Sequence, residues 1–303
     1  MFGKAEFSDI NRLFNQKFSD RGVLIAVHRG SPGGNIIENT IPAYKAALLQ
    51  GGDLLEVDVA KSADGILYMF HDGGEPRLLG EPDNIATMDS SRIDQLPCLN
   101  NLLKPTNTRL ERLEHILSYF KGDTIFNIDR AWFFWPELFE ALDQVDMMNQ
   151  IIIKGHVIKE TLEMFNQHGN KYMFMPIIMS IEQIDMVLSY SNINLVGMEL
   201  IVSSETDPLF QKEVIDRLHD LNLFVWANAI TLDDETKLFG GLDDDISIIQ
   251  SPELGWGKLL EKKIDIIQTD WPALLSAYRD QYLKAGGRTP AQNTAAGSAT
   301  GNW

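Results

Sequence analysis

Residues 54–59 read Leu54-Leu55-Glu56-Val57-Asp58-Val59. Side chains alternate across a strand, so Glu56 and Asp58 share one face while Leu55, Val57 and Val59 share the other. If the apolar face packs on helices, both carboxylates turn toward the inside of the sheet. Taken alone, the pattern fits a solvent-facing antiparallel strand equally well. Similar apolar runs recur at Val23–Val27, Ile66–Phe70, Thr124–Ile128, Gln150–Ile153, Tyr172–Pro176, Leu195–Leu200, Leu223–Ala227 and Ile264–Gln268. Helical periodicity separates most of them, over Ile41–Gln50, Leu110–Phe120, Pro136–Gln144, Lys159–Gln167, Ile181–Ser189, Asp207–Leu221 and Ala273–Leu283. Strands alternating with helices predict parallel pairing through right-handed crossovers. With Ile66–Phe70 hairpinned onto the strand before it, eight strand–helix units remain, which predicts an α/β fold of the (β/α)8 barrel class. An open doubly wound sheet is the competing architecture, but it usually opens on a glycine-rich turn that this chain lacks.

One barrel is expected over residues 1–285. Residues 73–108 are rich in glycine, proline and polar residues with little periodicity. They read as a long excursion after the second strand, placed to act as a lid or specificity wall. The tail Gly286–Trp303 is small and polar and reads as disordered.

The 303 residues carry 26 Lys+Arg against 43 Asp+Glu, a formal charge of −17. Such acidity argues against nucleic acid as a partner, because binding there rests on neutralising phosphates. It suits a protein that gathers cations. Cys98 is the single cysteine, so neither an intrachain disulfide nor a multi-cysteine zinc site can form. No apolar run has the length of a transmembrane span. The amino terminus lacks the uninterrupted apolar stretch of a secretory signal, so the expected location is the cytoplasm.

Polar residues gather where the strands end. Val23–Val27 runs into His28-Arg29-Gly30, and Ile66–Phe70 into His71-Asp72-Gly73. Asn127 and Asp129 close the next run, Lys154 the one after, then Glu199, then Trp226 and Asn228. Polar residues at the C-terminal ends of separate strands are the footprint of a barrel active site. Two inward carboxylates repel each other and lose hydration, and a hard divalent cation, Mg²⁺ or Ca²⁺, offsets both costs. Imidazoles supply an acid and a base near neutral pH. Arg29 and Lys154 can clamp an anionic oxygen. Cations converging on one point between two proton-transfer groups describe cleavage of a small-molecule phosphodiester.

Other residues read more blandly. Ala131-Trp132-Phe133-Phe134-Trp135 reads first as the start of a packed outer helix, and second as a stacking wall at the mouth. His115 and His219 read as surface residues, and His156 as one that can reach the mouth. Met173, Met175 and Met179 read as core. Asp243-Asp244-Asp245 reads as a solvated acidic loop.

The ordered fragments His28-Arg29-Gly30, Glu38-Asn39-Thr40, Glu56-Val57-Asp58-Val59, Asp64-Gly65 and His71-Asp72 resemble the glycerophosphodiester phosphodiesterase family. Weaker likeness continues through Arg77, Arg109-Leu110-Glu111, Trp226-x-Asn228 and Thr269-Asp270-x-Pro272, so it spans roughly residues 22–283. The resemblance implies a TIM barrel that hydrolyses glycerophosphodiesters to an alcohol and glycerol 3-phosphate, a task in lipid metabolism. It implies His28 and His71 as general acid and base, Glu56 and Asp58 as metal ligands, and Arg29 as the phosphate-binding arginine. Lys154 and Trp226 join Arg29 as expected substrate contacts.

The family's third metal carboxylate comes from a Glu-x-Lys motif, where this chain has Asp129-Arg130-Ala131. Asp129 then becomes the third ligand, and Lys154 the substitute for the missing lysine. Glu38, Asn39, Glu199 and Asn228 are expected around this set without assigned roles. An aspartate at that position also resembles the spider-venom sphingomyelinase D enzymes, which are disulfide-bonded and secreted. The departure suggests a divergent subgroup, with a sugar phosphodiester of the agrocinopine type among the permitted substrates. Release of a cyclic phosphate, transfer to a sugar hydroxyl, and a non-catalytic binding barrel stay open as alternatives.

Overall fold

A computed structural model describes residues 1–286, so 287–303 of the expected disordered tail lie outside the described residues. The chain begins with α1 (Ser8–Arg21), β1 (Leu24–His28), α2 (Ile41–Leu49), β2 (Leu54–Lys61) and β3 (Leu67–Met69). Two short helices follow, α3 (Glu75–Leu78) and α4 (Ser90–Ile93), and then α5 (Leu113–Tyr119). Regular alternation takes over with β4 (Ile125–Asp129), α6 (Trp135–Asp143), β5 (Ile151–His156), α7 (Lys159–Gln167), β6 (Met173–Ile178) and α8 (Ile181–Leu188). The chain then runs through β7 (Gly197–Leu200), α9 (Lys212–Asp220), β8 (Phe224–Asn228), α10 (Trp256–Glu261), β9 (Ile266–Thr269) and α11 (Pro272–Lys284).

All strands but β3 are parallel. Their order β1-β9-β8-β7-β6-β5-β4-β2 closes through β1–β2 pairing into an eight-stranded (β/α)8 barrel. β3 is the expected hairpin partner, antiparallel to β2 with Val59 opposite Met69. Parity sorts the strand residues as the alternation predicts. Leu55, Val57 and Val59 join the apolar layer between strands and helices, whereas Leu54 faces the barrel interior. That interior is apolar at the N-terminal end, where Leu24, Leu54, Ile125, Ile152, Met173 and Ile266 meet.

The alternation of strand and helix gave no warning of α1, which precedes the first strand. Its Phe14 and Phe18 lie four residues apart on one face and press against Phe224, with ring centroids at 4.6 and 5.0 Å. They plug the bottom of the barrel. The helix expected over Asp207–Leu221 starts later, because Asp207 caps a separate turn at Pro208–Phe210 and regular helix begins only at Lys212. The helix expected from Leu110 starts at Leu113, since Glu111 offers its carbonyl to Met69 N of β3.

Residues 73–108 are built around their own core of Leu78, Leu79, Ile85, Met88, Ile93 and Cys98, which packs on Ile37, Tyr68 and Phe70. Among the described residues no helix is long and apolar enough to cross a membrane.

Candidate active site

β2 carries Glu56 and Asp58 inward, 1% and 2% exposed. Asp129 ends β4 directly opposite Asp58 in the register. Carboxylate oxygens of Glu56, Asp58 and Asp129 all lie within 4.8 Å of one another. His28 ends β1 opposite Glu56. β2 overshoots the barrel rim, and the β2–β3 hairpin returns the chain to Asp58, whose carbonyl accepts from Phe70 N at 3.0 Å. The next residue is His71. Both imidazoles therefore stand on the rim that holds the three acids.

Each acid has cationic or amide partners. Arg29 Nε lies 2.8 Å from Asp58 Oδ2, and Asn39 Nδ2 donates to the same oxygen at 3.1 Å. Tyr44 Oη in turn donates to Asn39 Oδ1 at 2.9 Å. Arg29 sits in the left-handed region with φ 56°, and its backbone N–H reaches Glu56 Oε2 at 3.3 Å. Gly30 has no room for a side chain, because a Cβ there would stand 2.8 Å from the Ala43 backbone of α2. That close approach explains the His-Arg-Gly sequence at this turn. Glu38 accepts two bonds from Arg77, at 2.7 and 2.9 Å, and one from Arg29 at 3.4 Å. The excursion is thereby pinned to the rim.

Lys154 is 2% exposed, and its ammonium lies 3.0 Å from Asp129 and 2.9 Å from Glu199, with Gln268 Oε1 at 3.5 Å. β5 runs on to His156 instead of stopping before Lys154, which turns this lysine inward. Two carboxylates flank its ammonium, where the sequence suggested a contact with phosphate. Asn228 donates to Glu199 at 2.8 Å and accepts from Trp226 Nε1 at 3.0 Å. Trp226 itself is fully buried beneath Lys154, the ammonium 5.5 Å from the indole centroid. It belongs to the floor of the site.

Four acids, Glu56, Asp58, Asp129 and Glu199, crowd around the cations Arg29 and Lys154, with the His28 ring also facing Glu56. Burial, then the neighbouring Asp58, pushes the Glu56 carboxyl up. Burial works the same way on Asp129, but Lys154 and the Arg130 N–H outweigh it and hold that carboxyl below its usual range. The buried amide of Asn127, beside Glu56 in the register, makes no hydrogen bond to protein. An all-oxygen donor set of crowded carboxylates fits a hard divalent cation.

Both imidazoles have a fixed Nδ1. His71 Nδ1 lies 2.8 Å from the carbonyl of Asp72, whose side chain is gripped by Arg130 at 2.8 and 2.6 Å. His28 Nδ1 lies 2.9 Å from Asp270 Oδ1. Burial works against charging His28, but the Asp270 bond and the charges of Glu56 and Asp270 prevail and raise its pKa.

Sequence reasoning passed over Arg130, Gln268 and Asp270 as site residues. Parity points to the last two, because Ile266 faces inward on β9 and Gln268 and Asp270 follow at steps of two. Asp244 departs from the solvated-loop reading. It is 1% exposed and accepts from Trp256, Thr269 and Asp270. His219 is mostly buried against Asp265 at 2.9 Å, while His115 is exposed as expected. Of the three methionines, Met173 and Met175 are core and Met179 is exposed. The aromatic run divides: Phe134 and Trp135 are buried in the outer layer, whereas Phe133 is 79% exposed at the mouth. Trp132 lies between the Arg130 guanidinium, 5.3 Å away, and the His156 ring at 4.5 Å.

Known proteins share this architecture. A glycerophosphodiester phosphodiesterase structure from Parabacteroides distasonis superposes with a TM-score of 0.71 at 18% identity, covering 90% of this chain and 92% of that one. A phosphodiesterase from Oleispira antarctica, solved with the product sn-glycerol-3-phosphate, gives 0.61 at 17% identity over 87% and 99%. The chain thus has the (β/α)8 barrel fold seen in glycerophosphodiester phosphodiesterases. In sequence it is 47% identical over 45 residues to the glycerophosphodiester phosphodiesterase GDPD6 of Arabidopsis thaliana, a match spanning 15% of this chain and 12% of that relative. Residues 174–279 match a family described as a domain of unknown function, DUF4996.

Proposed function

We propose that the chain is a metal-dependent phosphodiesterase that hydrolyses a glycerophosphodiester or a related sugar phosphodiester. The observation that carries this reading is the convergence of Glu56, Asp58 and Asp129 within 4.8 Å on the rim that also bears His28 and His71. Glu56, Asp58 and Asp129 would hold a Mg²⁺ or Ca²⁺ ion, which when bound supplies a Lewis acid at a phosphoryl oxygen. Arg29, fixed by Asp58 and Glu38, orients the phosphate and neutralises its charge. Lys154 and Glu199 act one step back, by holding Asp129 in place.

With Nδ1 engaged, each imidazole offers Nε2 to the reaction. His71 takes a proton from the attacking water there, and His28 gives one to the leaving alcohol. The excursion over residues 73–108, tied down by Arg77, walls one side of the mouth, and exposed Phe133 lines another. The likeness of GDPD6 and of the phosphodiesterase structures supports this chemistry. On this reading the reaction takes place in the cytoplasm on a small-molecule substrate.

The test is a panel of glycerophosphodiesters and sugar phosphodiesters assayed with Mg²⁺, with Ca²⁺ and with EDTA, the products read by phosphorus NMR. Metal-dependent release of a phosphomonoester is the expected result. No turnover with either metal sinks the reading, and a cyclic phosphate product replaces hydrolysis with intramolecular attack.

A further inference from the structure

The Asp270–His28 contact brings together the ends of two neighbouring strands. β9 pairs with β1, with Thr269 opposite Val27, so Asp270 leaves its strand beside His28. A carboxylate only accepts hydrogen bonds, so the 2.9 Å contact fixes the proton on His28 Nδ1 and leaves Nε2 for the mouth. Glu56, Arg29 and Glu38 also face this ring through their charges. Among the described residues only Asp270 hydrogen-bonds the ring.

What holds Asp270 is less expected. The buried carboxylate of Asp244 accepts from the Asp270 backbone N–H at 2.9 Å. It also accepts from Thr269 Oγ1, at 2.8 and 2.9 Å, and from the Trp256 indole N–H at 2.8 Å. Thr269 Oγ1 in turn accepts from Trp271 N at 2.9 Å. Three donors from α10 and the end of β9 thus lock one turn, and that turn points a single carboxylate at a single imidazole. His71 Nδ1 meets a main-chain carbonyl instead, that of Asp72, whose side chain Arg130 grips.

We propose that Asp270 is the positioning residue for His28, held in place by Asp244, and that the pair commits His28 to donating its proton from Nε2. The inference rests on the phosphodiesterase reading for its catalytic consequence. As the P–O bond breaks, its electron pair goes to the leaving oxygen. His28 Nε2 delivers a proton there and becomes neutral, keeping Nδ1–H on Asp270. Solvent then restores the Nε2 proton. An asparagine at 270 can donate its amide N–H to Nδ1, so the neutral ring carries its one proton on Nε2 and could give it up only by becoming an imidazolate.

Two measurements decide it. Wild type, Asp270→Asn and Asp244→Asn are compared on an alkyl glycerophosphodiester and on a p-nitrophenyl phosphodiester, whose phenolate leaves without a proton. We expect kcat on the alkyl substrate to fall about 10–100-fold, with KM little changed and the p-nitrophenyl rate nearly kept. An equal loss on both substrates, or no loss, overturns the proposal. Nitrogen-15 NMR of the His28 ring at alkaline pH is the second readout and requires no turnover. It should show Nδ1–H in wild type and a shift toward Nε2–H in Asp270→Asn, and an unchanged ring spectrum overturns the proposal. If wild type cleaves no diester at all, the functional reading fails, while the ring spectrum still decides whether Asp270 sets the tautomer.

Discussion

The two ends of the barrel interior are built from the same strands and have opposite chemistry. At the N-terminal end Leu24, Leu54, Ile125, Ile152 and Ile266 meet Phe14 and Phe18 of α1 with no charge among them. Two to four residues further along the same inward faces stand His28, Glu56, Asp58, Asp129, Lys154 and Asp270. The apolar end gains stability from burial. At the charged end, desolvation and repulsion work against folding until partners are supplied. One end is optimised for cohesion, the other holds reactive groups in place at some expense to it. This is the division expected of a barrel whose chemistry sits at the C-terminal strand ends.

Mutations at the two ends should therefore separate activity from stability. The largest effect is expected at the rim: His28→Ala and His71→Ala should each lower turnover about 10²–10⁴-fold, with circular dichroism and melting unchanged. Loss of fold in either variant would break the comparison. At the other end Phe14→Ala should destabilise the protein by about 3–5 kcal/mol in urea denaturation, while activity per folded molecule survives.

Glu56→Gln sharpens the contrast. Removing one of three crowded carboxylates should raise the melting temperature of metal-free protein and abolish metal binding in calorimetry. In wild type, saturating metal should instead stabilise, by about 2.7 kcal/mol at a hundredfold excess over Kd.

The pH dependence of metal-free protein follows from the same carboxyl. Glu56 is raised in the folded state, by burial and then by Asp58, so the native protein holds a proton that the unfolded chain has released. Its contribution is full below the ordinary glutamate range and is lost as pH rises through the elevated folded pKa. Denaturation midpoints should fall over that window without metal, and the slope should flatten when metal is added. The smallest effect is expected from Arg77→Ala. Its guanidinium is half-exposed, so losing the Glu38 pair should cost no more than about 1 kcal/mol, read as a small shift in melting temperature.

Much of the fold was legible because period two and period 3.6 alternate along the chain. Strands such as Leu54–Val59 carry their inside and outside in the order of their residues. α1 was not legible from that alternation, because its role is to cover an end that only exists once the barrel closes. Within the site, Glu56, Asp58, Asp129 and the two histidines could be named from strand ends and motif. Lys154 was found but its orientation was not, since a strand that continues to His156 buries an ammonium that a strand ending earlier would present to solvent. Asp244 was hidden for a simpler reason. Three consecutive aspartates look alike in sequence, and only tertiary packing decides which of them meets Trp256 and Thr269.

His28 and Asp270 are 242 residues apart. A ribosome releases Glu56, Asp58 and Asp129 long before the last strand emerges, so a nascent chain holds its anionic trio without the carboxylate that bonds His28. The order of synthesis thus makes β9 the final key to the site, and a product truncated before it would lack both that key and the seam that seals the barrel.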